Sequence, residues 1–130
     1  MKKILVFGGF GFLGHYLVHE LLNRGYEVTV ADIHKNQKLE SKITYIKCDI
    51  TSKENVENVF KNKQFDVVYN LAGFANLDTA VKYPIETIQL NVIGNMHILE
   101  QCVKNNVSRF VYASSAYAMS NKGSFYGISK

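Results

Sequence analysis

Three glycines at a three-residue repeat, Gly8, Gly11 and Gly14, stand between an apolar run and a helical pattern in Val6-Phe7-Gly8-Gly9-Phe10-Gly11-Phe12-Leu13-Gly14. In that context the triplet predicts a turn that wraps a phosphate. Gly8 accepts the tight turn, Gly11 lets the backbone approach a pyrophosphate, and Gly14 lets the next helix pack close to the strand. The first amides of that helix, those of Phe12 and Leu13 among them, are offered to the anion. Eighteen residues beyond Gly14, the run Glu27–Ala31 ends in Asp32, where a carboxylate can bind ribose hydroxyls. A flexible glycine loop would need neither the helix nor the acid, whereas a dinucleotide site needs both.

Met1-Lys2-Lys3 before the uncharged run from Ile4 to Gly14 also has the outline of a secretory signal. Four glycines in those eleven residues weaken a helical apolar core, and no small-x-small cleavage site follows, so the strand-turn-helix reading is preferred. With 130 residues, 47% hydrophobic and 20% charged, the chain is expected to be one soluble α/β domain with its own core. No apolar run approaches the about 18 residues that a membrane span needs. Cys48 and Cys102 lie in no metal-ligand spacing and read as small apolar fillers of a reducing compartment, which makes the cytoplasm the expected location. The net charge of +4 is scattered, with no basic run interleaved with aromatics, so nucleic acid is not an expected partner. Mild basicity suits a phosphorylated ligand.

Strand and helix patterns alternate without a proline-rich linker, a repeat or a low-complexity tract. Strands are expected near Lys3–Phe7, Glu27–Ala31, Thr44–Lys47, Phe65–Asn70 and Arg109–Ser114, all short and apolar as buried parallel strands are. The first helix is expected from Phe12 to Arg24, with Leu13, Leu17 and Leu21 on the buried face and Gly25 as its stop. A second, near Lys53–Asn62, follows the N-cap candidates Thr51 and Ser52. A longer one begins near Pro84 and is expected to turn Ile88, Val92, Leu99 and Val103 toward the sheet. Right-handed crossovers then give a doubly wound parallel sheet in the order 3-2-1-4-5.

Ligands of such sheets bind at the carboxyl ends of the strands. There the fourth strand ends in Asn70-Leu71-Ala72-Gly73, small enough for a cofactor to approach the backbone, and the third is followed by Asp49-Ile50, where Asp49 can meet an adenine amino group or cap the next turn. Tyr126 and Lys130 stand four residues apart, on one face if that segment is helical, with Ser114 and Ser115 at the end of strand five. An ammonium beside a phenol favours the phenolate; moving a phenol from about 10 to about 7 takes roughly 4 kcal/mol. Such a tyrosine can take a proton from a substrate hydroxyl while hydride leaves the same carbon for a nicotinamide, and a serine hydroxyl can hold the oxygen.

Taken together, Gly8-x-x-Gly11-x-x-Gly14, Asp32, Asp49-Ile50, Leu71-Ala72-Gly73, Asn91-Val92-x-Gly94, Ser114-Ser115 and Tyr126-x-x-x-Lys130 resemble the extended short-chain dehydrogenase/reductases, specifically the NAD-dependent epimerase/dehydratase group. The resemblance spans the whole chain. It implies a Rossmann-type domain, a tightly held NAD, a sugar-nucleotide substrate, a homodimeric parent, and oxidation of a sugar hydroxyl by Tyr126 with Lys130 and Ser115. Aligning residues 110–115 on the family's strand makes Ser115, rather than Ser114, the catalytic hydroxyl, and it places Asn91 on the long helix near the cofactor. Phe7 stands where many members have threonine, which leaves the glycines intact. Members that eliminate water carry Asp-Glu after the catalytic Ser/Thr, whereas Ala116-Tyr117 follows here, so epimerase or reductase is expected over dehydratase. The eleven residues from Ser115 to Tyr126 are a short connection for the family.

Family members continue beyond the Tyr-x-x-x-Lys helix into further sheet and a smaller domain for the sugar nucleotide. Residues 1–130 are therefore expected to be the NAD(P)-binding domain of a longer enzyme, incomplete at the carboxyl end, truncated before the substrate domain and inactive by itself. His15 and His19 have the i,i+4 spacing of two zinc ligands, but no His-Glu-x-x-His is completed and no third ligand is evident, so no metal is expected. Asn106-Val107-Ser108 matches a glycosylation sequon that means little in a cytoplasmic chain. Two other readings compete with the NAD-dependent enzyme, a dinucleotide-binding sensor without turnover and an atypical NADP-dependent reductase. Fold alone does not separate them; a sensor, however, needs none of Ser115, Tyr126 and Lys130.

Overall fold

The computed structural model describes residues 1–35 and 41–130. Its centre is β1 (Lys3–Phe7), in which Ile4, Leu5, Val6 and Phe7 are all buried. Alternation along a strand sends Ile4 and Val6 to one face and Leu5 and Phe7 to the other, and each pair seeds a separate core. The chain then forms α1 (Phe12–Asn23), β2 (Glu27–Asp32), β3 (Ile43–Lys47), α2 (Lys53–Phe60) and β4 (Val67–Asn70). After it come α3 (Leu77–Lys82), α4 (Pro84–Ile88), a π-helical turn over Gln89–Ile93, α5 (Gly94–Lys104), β5 (Arg109–Tyr112), a 3₁₀ turn over Ala116–Met119, and α6 (Ser124–Ser129). All five strands are parallel, in the order β3-β2-β1-β4-β5, so the expected doubly wound topology is present.

Local chemistry explains most boundaries. Gly25, at φ +78°, follows the end of α1, a conformation that costs glycine little. The Ser52 hydroxyl accepts the Asn55 amide at the start of α2, and Pro84 opens α4 with a φ already suited to a helix. On one side of the sheet α1 packs Val18 and Leu21 against Ile4, Val6, Val28 and Val30. On the other, Val56, Val59 and Phe60 from α2 and Ile98 and Cys102 from α5 meet Leu5, Phe7 and Val68. No helix among the described residues is long and apolar enough to cross a membrane.

Several expectations are corrected. The core face of α1 is Gly14, Val18 and Leu21, while Leu13 is 58% exposed, because the close approach of Gly14 to β1 fixes the helix's rotation. The helix beginning at Pro84 buries Thr87, Asn91, Gly94, Ile98, Gln101 and Cys102, and Val103 is 78% exposed. β3 lies at the sheet edge and is only half-buried, β4 begins at Val67 rather than Phe65, and β5 ends at Tyr112 rather than Ser114. The short α3, capped by Asn76 accepting the Thr79 amide at 3.0 Å, carries too few residues to show a periodicity.

The two sides of α5 differ in what they hold. Ile98→Ala opens a cavity in a fully buried site and should lower unfolding free energy by about 2–5 kcal/mol. Val103→Ala should change it by less than about 0.5 kcal/mol. Chemical denaturation of both variants checks the assignment, and equal losses would contradict it.

Candidate functional site

A cleft of about 720 Å³ opens at the carboxyl ends of β1 to β4, a size that suits a bound cofactor or other small ligand. It brings together Gly8, Gly11, Asp32, Asp49, Ile50, Leu71, Ala72 and Gly73, all of them expected from the sequence. It also includes Cys48, which the sequence marked only as an apolar filler, and Phe10, Phe74, Glu86 and Gln89, which it did not single out. Glu86 and Gln89 reach it because the helix over residues 84–104 forms the far wall; only the fold reveals that.

The glycine loop is built by close backbone approach. Gly8 has φ +72°, and a Cβ there would stand 2.7 Å from the Ala72 nitrogen, so the β1 and β4 exits meet backbone to backbone. A Cβ at Gly14 would collide with the Gly8 carbonyl and lie 2.7 Å from Gly9 Cα. Gly11 is the N-cap of α1 without a side-chain cap, and the bond from the His15 N–H to the Gly11 carbonyl follows it. The amides of Phe12, Leu13 and Gly14 therefore precede the helical ladder, in the position from which a helix offers N–H groups to an anion. The Phe12 and Leu13 side chains are exposed outside the cleft lining.

Asp32 closes the opposite rim with both carboxylate oxygens held. Oδ2 accepts the Phe10 amide at 3.1 Å and Oδ1 the His34 amide at 3.2 Å. The Phe10 bond connects the glycine loop directly to the acid, and the Phe10 ring lies 5.7 Å from that of Tyr45, whose hydroxyl donates to the Asp32 carbonyl at 3.2 Å. On the next loop Asp49 Oδ1 accepts from the Thr51 amide and hydroxyl at 2.9 and 2.7 Å. The turn-capping role is thus present at Asp49, on a residue that also lines the cleft.

The phenol and ammonium lie on a segment that packs against α3 and α4. Tyr126 is on α6 and Lys130 caps that helix, so the four-residue spacing does fall within a helix. The Lys130 ammonium stands 4.9 Å from the centre of the Tyr112 ring and 3.9 Å from where a Cβ of Gly73 would be. Burial lowers its pKa. Ser115 opens the 3₁₀ turn, its Oγ accepting the Tyr117 amide at 3.2 Å, and the Tyr117 ring meets that of Tyr126 edge-on at 6.1 Å. Ser115, Tyr126 and Lys130 do not line the 720 Å³ cleft; Gly73 is the point where the two regions meet. Asn91 is buried behind the cleft wall, its Oδ1 accepting the Phe74 amide at 2.8 Å. The His15 and His19 rings are 4.4 Å apart on α1, and no group of three or more His, Cys, Asp or Glu residues able to hold a metal occurs among the described residues.

Residues 4–127 match the profile of the NAD dependent epimerase/dehydratase family. The chain is 31% identical over 129 residues to the bifunctional UDP-glucose 4-epimerase and UDP-xylose 4-epimerase 3 of Arabidopsis thaliana, covering 88% of itself and 37% of that protein. It is 31% identical over 123 residues to the UDP-glucose 4-epimerase of Bacillus subtilis (strain 168), covering 87% of itself and 36% of that relative. The solved Thermus thermophilus UDP-glucose 4-epimerase in complex with NAD superposes with a TM-score of 0.82 at 32% identity, over 87% of this chain and 37% of that one. The Bifidobacterium longum enzyme in complex with NAD+ and UDP gives 0.89 at 27% identity, over 99% and 46%. The chain thus spans less than half the length of these relatives.

Burial pushes the Cys48 thiol, on the cleft floor, up to about 12 and that of Cys102 to about 11. A raised pKa leaves less thiolate, so at pH 8 Cys48 holds on the order of 10⁻⁴ of the reactive form, four units below its midpoint. Iodoacetamide at pH 8 should label neither cysteine in the folded chain and both in guanidinium. Rapid labelling of Cys48 in the folded chain would contradict this burial.

Proposed function

This chain belongs to the NAD-dependent epimerase/dehydratase family, and on that premise we propose that it binds NAD in the cleft and serves the oxidation of a sugar-nucleotide hydroxyl, as an epimerase or reductase. The observation that carries the reading is Asp32, clamped by the Phe10 and His34 amides at the rim of a glycine loop that excludes side chains. The loop fits a pyrophosphate: Gly8 and Gly14 leave a cradle that a Cβ would fill, and α1 begins there without a side-chain cap. With NAD bound there, Asp32 would accept hydrogen bonds from ribose hydroxyls, Asp49 and Ile50 would hold the adenine end, and Leu71, Ala72 and Gly73 would hold the nicotinamide end. Asn91 supports that border from behind.

The cofactor, when bound, supplies a hydride acceptor. Everything else is asked of the chain. Tyr126 Oη takes the proton of the sugar hydroxyl. Lys130, held near Gly73 with its charge over the Tyr112 ring, supplies the cation of the pair. The Ser115 hydroxyl holds the sugar oxygen. Ala116-Tyr117 in place of an acidic pair supports epimerisation or reduction over loss of water. The curated relatives are named as epimerases of UDP-glucose, which makes UDP-sugars the first substrates to assay. Free thiols at Cys48 and Cys102 suit a reducing compartment such as the cytoplasm.

NAD should bind at least about tenfold more tightly than NADP. A 2′-phosphate beside the Asp32 carboxylate meets a like charge worth about 4 kcal/mol at 4 Å and an effective dielectric of 20, before solvent and the neighbouring His34 and Lys35 reduce it. Calorimetric titration with both dinucleotides tests this, and tighter NADP binding would overturn it. In the longer enzyme expected to carry this chain, assayed on UDP-glucose, Tyr126→Phe should keep NAD affinity and lower turnover by about 10²–10⁴-fold, since only the proton-transferring hydroxyl is removed. Unchanged turnover would make Tyr126 structural, and NAD binding without turnover of any UDP-sugar would favour a dinucleotide-binding module.

A further inference from the structure

Asn91 lies in the π-helical turn Gln89–Ile93 and is 2% exposed. Its amide is shared between two segments distant in sequence. Oδ1 accepts the Phe74 N–H at 2.8 Å, and Nδ2 donates to Ser129 Oγ at 2.8 Å and to the Phe74 carbonyl at 3.4 Å. Ser129, itself 5% exposed, passes the connection on, its hydroxyl donating to the Tyr126 carbonyl at 2.9 Å. A hydroxyl has one proton and two lone pairs, so accepting from Asn91 while donating to Tyr126 fixes the rotor. The site is closely fitted: a Cβ at Gly73 would stand 2.6 Å from Asn91 Oδ1.

This chain of bonds matters because it ties α6 to the Gly73-Phe74 loop through side chains that are all but excluded from solvent. The Asn91–Ser129 bond is a buried one that ends next to Lys130. We infer that Ser129 is a positioning residue: through Asn91 it locks α6, and with it Tyr126 and Lys130, in register with the Gly73-Phe74 loop at the edge of the cleft. The inference rests on the reading of Tyr126 and Lys130 as the proton-handling pair. Ser129 is assigned no contact with substrate or cofactor. A π turn at this position fits, since such turns recur at functional sites where a side chain must be re-aimed out of the regular ladder.

Amide hydrogen exchange of the chain, with and without NAD, separates this from a general packing role. Ser129→Ala should speed exchange at Gly127 and Lys130, whose amides bond to Gly123 and Gly127, by about tenfold, the equivalent of one lost net hydrogen bond. Amides of β1 and of the glycine loop should stay at wild-type rates. NAD should still protect the glycine loop of the variant but no longer protect α6, and Ser129→Thr, which keeps the hydroxyl, should restore both. Exchange in α6 unchanged by Ser129→Ala, or acceleration spread equally over the sheet, would overturn the inference. Failure of NAD to protect the wild-type glycine loop would instead overturn the cofactor reading, leaving the exchange of the free chain to decide the role of Ser129.

Discussion

Backbone meets backbone at Gly8, Gly9 and Gly14 with no side chain between, and the rest of the architecture depends on that approach. A Cβ at Gly8 would press on the Ala72 nitrogen and one at Gly14 on Gly9, both at 2.7 Å. Those two contacts bring the start of α1 down over the end of β1 and draw the β4 exit alongside. They also set the rotation of α1, so Val18 and Leu21 face the sheet and Leu13 does not. The same absence of side chains that lets the elements close on one another leaves a backbone-lined cradle in front of them.

The second constraint is the helix over residues 84–104, which braces the opposite wall with polar groups rather than apolar ones. Asn91 holds the Phe74 amide, Asn95 Oδ1 accepts at 2.8 Å from Asn70, and Asn70 Oδ1 in turn accepts the Ala72 amide at 3.1 Å. His97 Nδ1 meets the Ile50 carbonyl at 2.9 Å, and Gly94 gives room for the Ile50 side chain. Buried polar groups are costly unless paired; here each pairing fixes one of the loops that border the cleft. The helix thus forms one wall of the cleft and also sets where two of its loops stand.

The sequence made the glycine loop, Asp32 and the strand order legible because each is a local demand: a φ only glycine takes easily, an acid at a strand end, alternation along short apolar runs. The faces of the helices were less legible. Apolar spacing pointed to Val103, but the buried side of its helix includes Thr87, Asn91, Gly94 and Gln101, whose small or hydrogen-bonded side chains give no hydropathy signal. Asn91 was readable as a motif residue, whereas its partners at positions 74 and 129 are set by tertiary structure alone. Glu86 and Gln89 line the cleft for the same reason. Tyr126 and Lys130 were found by spacing and Ser115 through the family resemblance; their grouping around Tyr117, Tyr112 and Gly73 was not legible.

The central claim is that the carboxyl ends of β1 to β4 form one dinucleotide cradle whose acid, glycine loop and β4 exit act together. Backbone amide chemical shifts recorded during titration with NAD test it most directly. The account predicts saturable shifts concentrated at Gly8–Gly14, at Asp32 and His34, at Asp49 and Ile50, and at Ala72–Phe74, with a single dissociation constant for all four segments. Shifts confined to one segment, or centred on the outer surface of α1 or α5, would contradict it.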